Sequence, residues 1–195
     1  MGVAEESKGK LKQTLGEIRL PGQAVRGAPV EIFISYSHTD IDLASLLDIH
    51  LAALRREGLV ATWFDRQIGP GDQWRETIDE RLDRAAVVLI LISANFIASD
   101  YCWDVELRRA MERHAAGKAR IIPVILRDCD WQHLPFSTFQ AVPAGGRPVA
   151  SWPDTHEAIA DVVRGVRSAV LDVYHPAEPG WPAAAGRSTP VIPGG

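Results

Sequence analysis

Apolar residues along this chain fall into two alternating rhythms, and the alternation itself predicts the architecture. Short, mostly apolar segments occur at Val30–Ser35 (VEIFIS), residues 59–64 (LVATWF), Val87–Ile92 (VVLILI) and residues 119–126 (ARIIPVIL), and Val87–Ile92 is apolar throughout. All four have the form of strands, and the continuous run Val87–Ile92 that of a central strand buried on both faces. Between them the apolar positions switch to helical spacing. Leu43, Leu46, Leu47, Leu51 and Leu54 mark one stripe, with Thr39 and Asp42 as a capping-box variant before it and Gly58 where a left-handed C-terminal cap belongs. A second helix is expected over residues 74–84. A third, over residues 99–114 (SDYCWDVELRRAMERH), carries Trp103, Leu107, Ala110, Met111 and His114 on one face, with Ser99 or Asp100 as its cap and Glu106 on the shoulder of that face. Pro123 in the fourth run argues for a sheet edge or a bulge, where one backbone donor can be spared. After a long irregular connection over residues 127–147, residues 148–152 predict a short fifth strand. Asp154 and Glu157 then cap a last helix striped by Ile159, Val162, Val163, Val166 and Val170.

Strands alternating with helices imply an α/β fold: an open five-stranded parallel sheet with helices on both faces, because parallel strands need helical crossovers. Ligands in such sheets bind beyond the carboxyl ends of the strands. The loops at that end are residues 36–39, 65–74, 93–103 and 127 onward. The expected organisation is a polar N-terminal arm or linker over residues 1–29, one folded domain over 30–174, and a Pro/Gly/Ala-rich tail over 175–195 whose composition cannot offset the entropy of ordering.

Composition narrows the function classes. With 195 residues, a formal charge of -4 and a pI near 5.9, the chain has no basic footprint for nucleic acid. Cys102 and Cys129 have no metal-ligand spacing to each other or to the six histidines, and they form no disulfide framework, so no metal is expected and a reducing cytoplasm fits best. Cys102 stands near a helix N-terminus without a histidine placed as its base, which favours a structural thiol. The charged start, MGVAEESKGK, and the lack of any run near the roughly 18 apolar residues of a spanning helix predict neither secretion nor membrane insertion. MGVAEES does match the loose myristoylation pattern.

The ordered motifs Glu31-Ile32-Phe33-Ile34-Ser35-Tyr36-Ser37, Trp63-Phe64-Asp65 with Gly69-Pro70-Gly71, and Ser93 through Glu106 resemble the bacterial kind of TIR (Toll/interleukin-1 receptor) domain over about residues 30–170. The resemblance implies a flavodoxin-like fold and, since many such domains are NAD+ glycohydrolases, cleavage of the nicotinamide–ribose bond. The products would be nicotinamide and ADP-ribose or a cyclic isomer. NAD+ is then a substrate, and no cofactor is implied. The family's catalytic residue is a glutamate at the start of the third major helix, which Glu106 matches. The chain departs from the commoner aromatic-Cys-x-x-Glu spacing, because three residues separate Cys102 from Glu106. That leaves Asp104 as a second candidate; the two carboxylates lie about 200° apart on a helix, so only one faces the cleft.

No acid is needed for a leaving group that already carries a positive ring nitrogen, so one carboxylate that holds the ribose hydroxyls and stabilises the oxocarbenium-like charge suffices. The alternative for Glu106 is a pairing with Arg109 or Arg113 one turn away. Candidates for substrate binding are Tyr36 and Ser37, against a simple turn; Asp65, Arg66, Gly69 and Gly71 of the loop after the second strand; Trp74, as a stacking lid or a packed helix-initiating residue; and Trp103. GPG is not a dinucleotide fingerprint, since it lacks the GxGxxG register. The resemblance further implies homo-oligomers through TIR–TIR contacts, a sensor domain or partner protein, and a place in prokaryotic immunity, such as antiviral defence, or cell-death signalling. The competing reading is a non-catalytic interaction module, an adaptor in which Glu106 is incidental. Phosphoacceptor signalling on the same fold fails, because Ser35-Tyr36 replaces the acidic pair that it needs.

Overall fold

The computed structural model describes residues 28–63 and 74–174. A four-stranded parallel sheet runs through its centre in the order β2-β1-β3-β4, with β1 at Val30–Ser35, β2 at Val60–Trp63, β3 at Val87–Ile92 and β4 at Arg120–Ile125. The helices are α1 (Ile41–Arg56), α2 (Trp74–Arg84), the single turn α3 (Ala94–Ile97), α4 (Arg108–Ala115) and α5 (Thr155–Tyr174). All six residues of the inner strand β3 are buried, which is why its sequence shows no polar alternation. Successive strand residues face opposite sides, and each side has its own core. Ile32, Ile34, Leu89 and Leu91 pack with Leu47, Leu51 and Leu54 of α1 and Ile159, Val162 and Val166 of α5. Phe33, Val88, Ile90 and Ile92 pack with Ile78 and Leu82 of α2 and with Leu107 and Ala110.

Gly58, at φ +73°, ends α1 as expected: its N–H donates to the Arg55 carbonyl, in a backbone conformation that a side chain would strain. The start of α1 differs from the capping box read in the sequence. A short 3-10 turn, His38–Asp40, precedes it, and no side chain caps the helix. Asp40 occupies the cap position, but its carboxylate is taken up by a buried network described below.

The fifth strand is a correction. Residues 148–152 form no strand; Val149–Ser151 is a 3-10 turn, tied to the sheet by the Ala150 N–H donating to the Leu126 carbonyl. A single parallel bridge, Val124 with Val142, is all that extends the sheet beyond β4 among the described residues. Pro123 accounts for this. Arg120 and Leu126 donate their N–H groups inward to β3-side carbonyls, whereas Ile125 donates outward to Val142, so position 123 also faces outward. Lacking an N–H, it offers nothing to a carbonyl two residues before Val142, and the Ala144 N–H, the next that could face β4, donates to Asp161 instead. The edge position argued from Pro123 is therefore found, and the same residue limits the strand that would have covered it. The arm and tail expected at the two ends lie outside the described residues, apart from Ala28 and Pro29.

Glu57 accepts two hydrogen bonds from the Arg167 guanidinium, at 2.6 and 2.8 Å, joining the end of α1 to α5. That hydrogen bond holds the Glu57 carboxyl below its usual range, as Arg109 does for Asp83 and the Ala144 backbone N–H, with Arg164, does for Asp161. A lowered folded-state value means stability that is present above the ordinary carboxylate pKa and lost as pH falls through the lowered one. Since both members of the Glu57–Arg167 pair are more than a third exposed, Glu57→Gln should cost only about 0.5 kcal/mol at pH 7. Thermal melts of the two proteins should converge as pH falls through the lowered folded-state value of Glu57, where both side chains at 57 become neutral.

Candidate functional site

The first strand ends at Ser35, and the chain turns through Tyr36 and Ser37 at the carboxyl edge of the sheet. β3 leaves beside it, and the Ser93 hydroxyl accepts from the Phe96 N–H to start α3. Ser99 then opens the next helical segment: its Oγ accepts from the Cys102 N–H at 3.3 Å and its carbonyl from the Trp103 N–H at 2.9 Å. The helix expected over residues 99–114 is not uniform. Cys102–Leu107 is wound as a π-helix, and regular α geometry resumes only in α4. Within the π turn Glu106 is 6% exposed, and its Oε2 accepts a hydrogen bond from Ser35 Oγ. It lines a cavity of about 70 Å³ with Tyr36, His38, Ser99, Tyr101 and Cys102, together with Phe33 and Ile34 of β1. The Cys102 thiol donates to the Tyr36 carbonyl at 3.4 Å, which fits a structural role.

The arginines one and two turns beyond Glu106 are engaged elsewhere. Arg109 makes a two-point pair with Asp83, at 2.6 and 2.9 Å, and Arg113 donates to the Ala85 carbonyl at 2.7 Å. Asp104 is exposed while Glu106 is buried, as their opposite helical phases require. Between the two carboxylates, only Glu106 lines the cavity.

Of the substrate-binding candidates, Tyr36 lines this cavity, with its ring edge-on to His38. Ser37 is buried beside it but is not among the lining residues; its carbonyl accepts from the Asp40 N–H at 2.8 Å and so serves the turn. Trp103 is half-buried and packs edge-to-face on Phe136 at 6.3 Å, away from the cavity lining. Trp74 is the first residue of α2, and Asp65, Arg66, Gly69 and Gly71 lie outside the described residues.

Two residues at this edge escaped the sequence reading. Ser35 looked like the last residue of a strand, and its hydrogen bond spans 71 positions of sequence. Asp40, fully buried, accepts from Ser93 Oγ, from Arg127 Nε at 2.9 Å and from Asn95 Nδ2 at 3.4 Å, joining the loops after β1, β3 and β4. Its only trace in the sequence is an acidic residue just after the first turn. The Cys129 thiol on the loop after β4 is pushed up by burial and by the neighbouring carboxylates of Asp128, Asp130 and Asp40, which keeps it protonated and a poor nucleophile. No cluster of three metal-ligating side chains occurs among the described residues. Nor is any helix among them long and apolar enough to cross a membrane. A larger cavity, about 450 Å³, opens between β4 and α5, lined by Arg120, Thr138, Gln140 and Ser168 among others, with no carboxylate on its wall.

The family model described as the TIR domain matches residues 32–159, a span that runs from β1 into α5 and contains the whole Glu106 cleft. The chain belongs to the TIR domain family. It is 46% identical over 160 residues to an uncharacterized protein, y4lF, of Sinorhizobium fredii, covering 82% of this chain and 50% of that one. It is 28% identical over 96 residues to the NAD(+) hydrolase PdTIR of Paracoccus denitrificans, covering 49% of this chain and 31% of the relative. The chain thus spans half or less of the curated relatives it matches. The TIR domain of a Toll-related receptor, TRR-2, from Hydra magnipapillata aligns with a TM-score of 0.49 at 18% identity, covering 72% of this chain and 97% of that one.

Proposed function

We propose that this TIR domain cleaves the nicotinamide–ribose bond of NAD+, with Glu106 as the catalytic residue. The observation that carries the reading is a carboxylate 94% out of solvent at the carboxyl edge of a parallel sheet, bonded to Ser35 and facing a cavity, while the nearby arginines serve Asp83 and a backbone carbonyl. Burying a carboxylate is costly, and a surface used only for docking gains nothing from it. The likeness to a protein named as an NAD(+) hydrolase supports the same reading.

In the Michaelis complex Glu106 faces the ribose carbon from which nicotinamide departs. As the C–N bond lengthens, the electron pair goes to the ring nitrogen, the base leaves neutral, and positive charge builds on the ribose ring. The carboxylate stabilises that charge in a site largely closed to water. Ser35 orients the carboxylate, and Tyr36 and His38 wall the pocket. Water, or an atom of the adenine ring in the cyclising variant, then attacks the cation. The 70 Å³ cavity is much smaller than the several hundred Å³ typical of a pocket that holds a ligand of this size. Most of the dinucleotide therefore rests outside it, and self-association of TIR domains is the proposed way in which the site is completed.

The reading is tested by incubating the purified chain with NAD+ and following nicotinamide by chromatography. Ser35→Ala adds a finer test. Loss of a hydrogen bond to a charged group should lower kcat about tenfold. It should also move the acid limb of the pH–rate profile to higher pH, because the hydroxyl stabilises the ionised carboxylate over the protonated one. Nicotinamide release with an unmoved acid limb would remove Ser35 from this role.

A further inference from the structure

The π turn at Cys102–Leu107 holds one residue more than an α-helical path between the same points would need. Both of its ends are fixed in rotation. At the start, Cys102 is buried with its thiol on the Tyr36 carbonyl. At the far end, Leu107 and Ala110 are buried in the core beside Ile78 and Leu82, and Arg109 is clamped to Asp83. Each residue of an α-helix turns the path by about 100°, so a plain α-helix through the same sequence would carry either Cys102 off Tyr36 or Glu106 out of the cleft. The wide turn absorbs that surplus. Its residues Cys102, Glu106 and Leu107 face inward, while Asp104 is exposed.

We propose that Asp104 is the surplus residue and that the π turn is a positioning device, which keeps Glu106 against Ser35 despite the extra length. The functional meaning rests on the NAD+-cleaving reading given above; the geometric claim stands without it.

The test is a pair of single-residue deletions, both at exposed positions, on either side of Glu106. Deleting Asp104 should let the turn close to α geometry with every buried residue in place. Melting should then stay within about 4 °C of the full chain. Nicotinamide release should stay within about threefold, with the acid limb of its pH profile unmoved. Deleting Arg108 also removes one residue, but it moves Glu106 into the core site of Leu107. That variant should melt more than about 6 °C lower and lose nicotinamide release. Asp104→Ala, which keeps the length, should match the full chain in both measurements. The proposal is overturned if deleting Asp104 destabilises as much as deleting Arg108, or if the folded deletion variant loses kcat as completely as Glu106→Gln. Should the full chain itself release no nicotinamide, the NAD+ reading falls, and the melting comparison still decides between a surplus residue and a required one.

Discussion

Replacing Glu106 with glutamine is expected to cut nicotinamide release from NAD+ by about 10²- to 10³-fold, the scale of losing one preorganised electrostatic contact to the charge that develops in a transition state. The glutamine side chain has nearly the same shape, and its amide oxygen still accepts from Ser35 Oγ, so the loss comes from charge rather than from packing. Folding should not suffer, because removing a buried charge while keeping its hydrogen bond relieves a desolvation cost. The variant should melt at or slightly above the temperature of the full chain. A large loss of rate together with unchanged melting separates a catalytic carboxylate from a structural one. Asp104→Asn, at an exposed site outside the cavity, should change neither.

The largest stability effect is expected at Asp40. Its carboxylate is fully buried and receives Ser93 Oγ, Arg127 Nε and Asn95 Nδ2, which come from loops after two other strands. Asp40→Ala leaves the Ser93 hydroxyl without its buried acceptor and frees the tether of the loop after β4. The cost should be about 3 kcal/mol, at the low end for a broken buried pair because Arg127 is 48% exposed and regains water. For a domain of this size that is a fall of about 6–12 °C in melting temperature. The double variant Asp40→Ala/Arg127→Met should recover about 1 kcal/mol relative to the sum of the single changes, the mark of a direct pair. Additive effects would place Arg127 outside the network.

How much of this was legible in the sequence varies from element to element, for physical reasons. The all-apolar run Val87–Ile92 is buried on both faces, so it could only be an inner strand, and the stripes of α1 and α5 mark the faces that cover it. Pro123 announced the edge through the donor that it lacks. The fifth strand was over-read because residues 148–152 look apolar and extended on their own. Whether they pair depends on which backbone groups β4 offers at its outer edge, and that is not a local property. Glu106 stands out as a candidate only through the TIR resemblance, since its helical spacing alone puts it on a shoulder between core and surface. The π turn was hidden because a surplus residue shows only against contacts at both ends of the helix. Ser35 and Asp40 act through partners 71 and 53 to 87 positions away, a distance over which no periodicity carries information.

The central proposal is that the Glu106 cleft cleaves NAD+ and is completed by contact between copies. The direct test is the initial rate of nicotinamide release by the purified chain over a wide range of protein concentration, with Glu106→Gln run in parallel at each point. Release that rises more steeply than in proportion to protein, and that is lost in the variant throughout, is the predicted result. Equal release by the two proteins, or none from either at high concentration with a crowding agent present to force association, would contradict it.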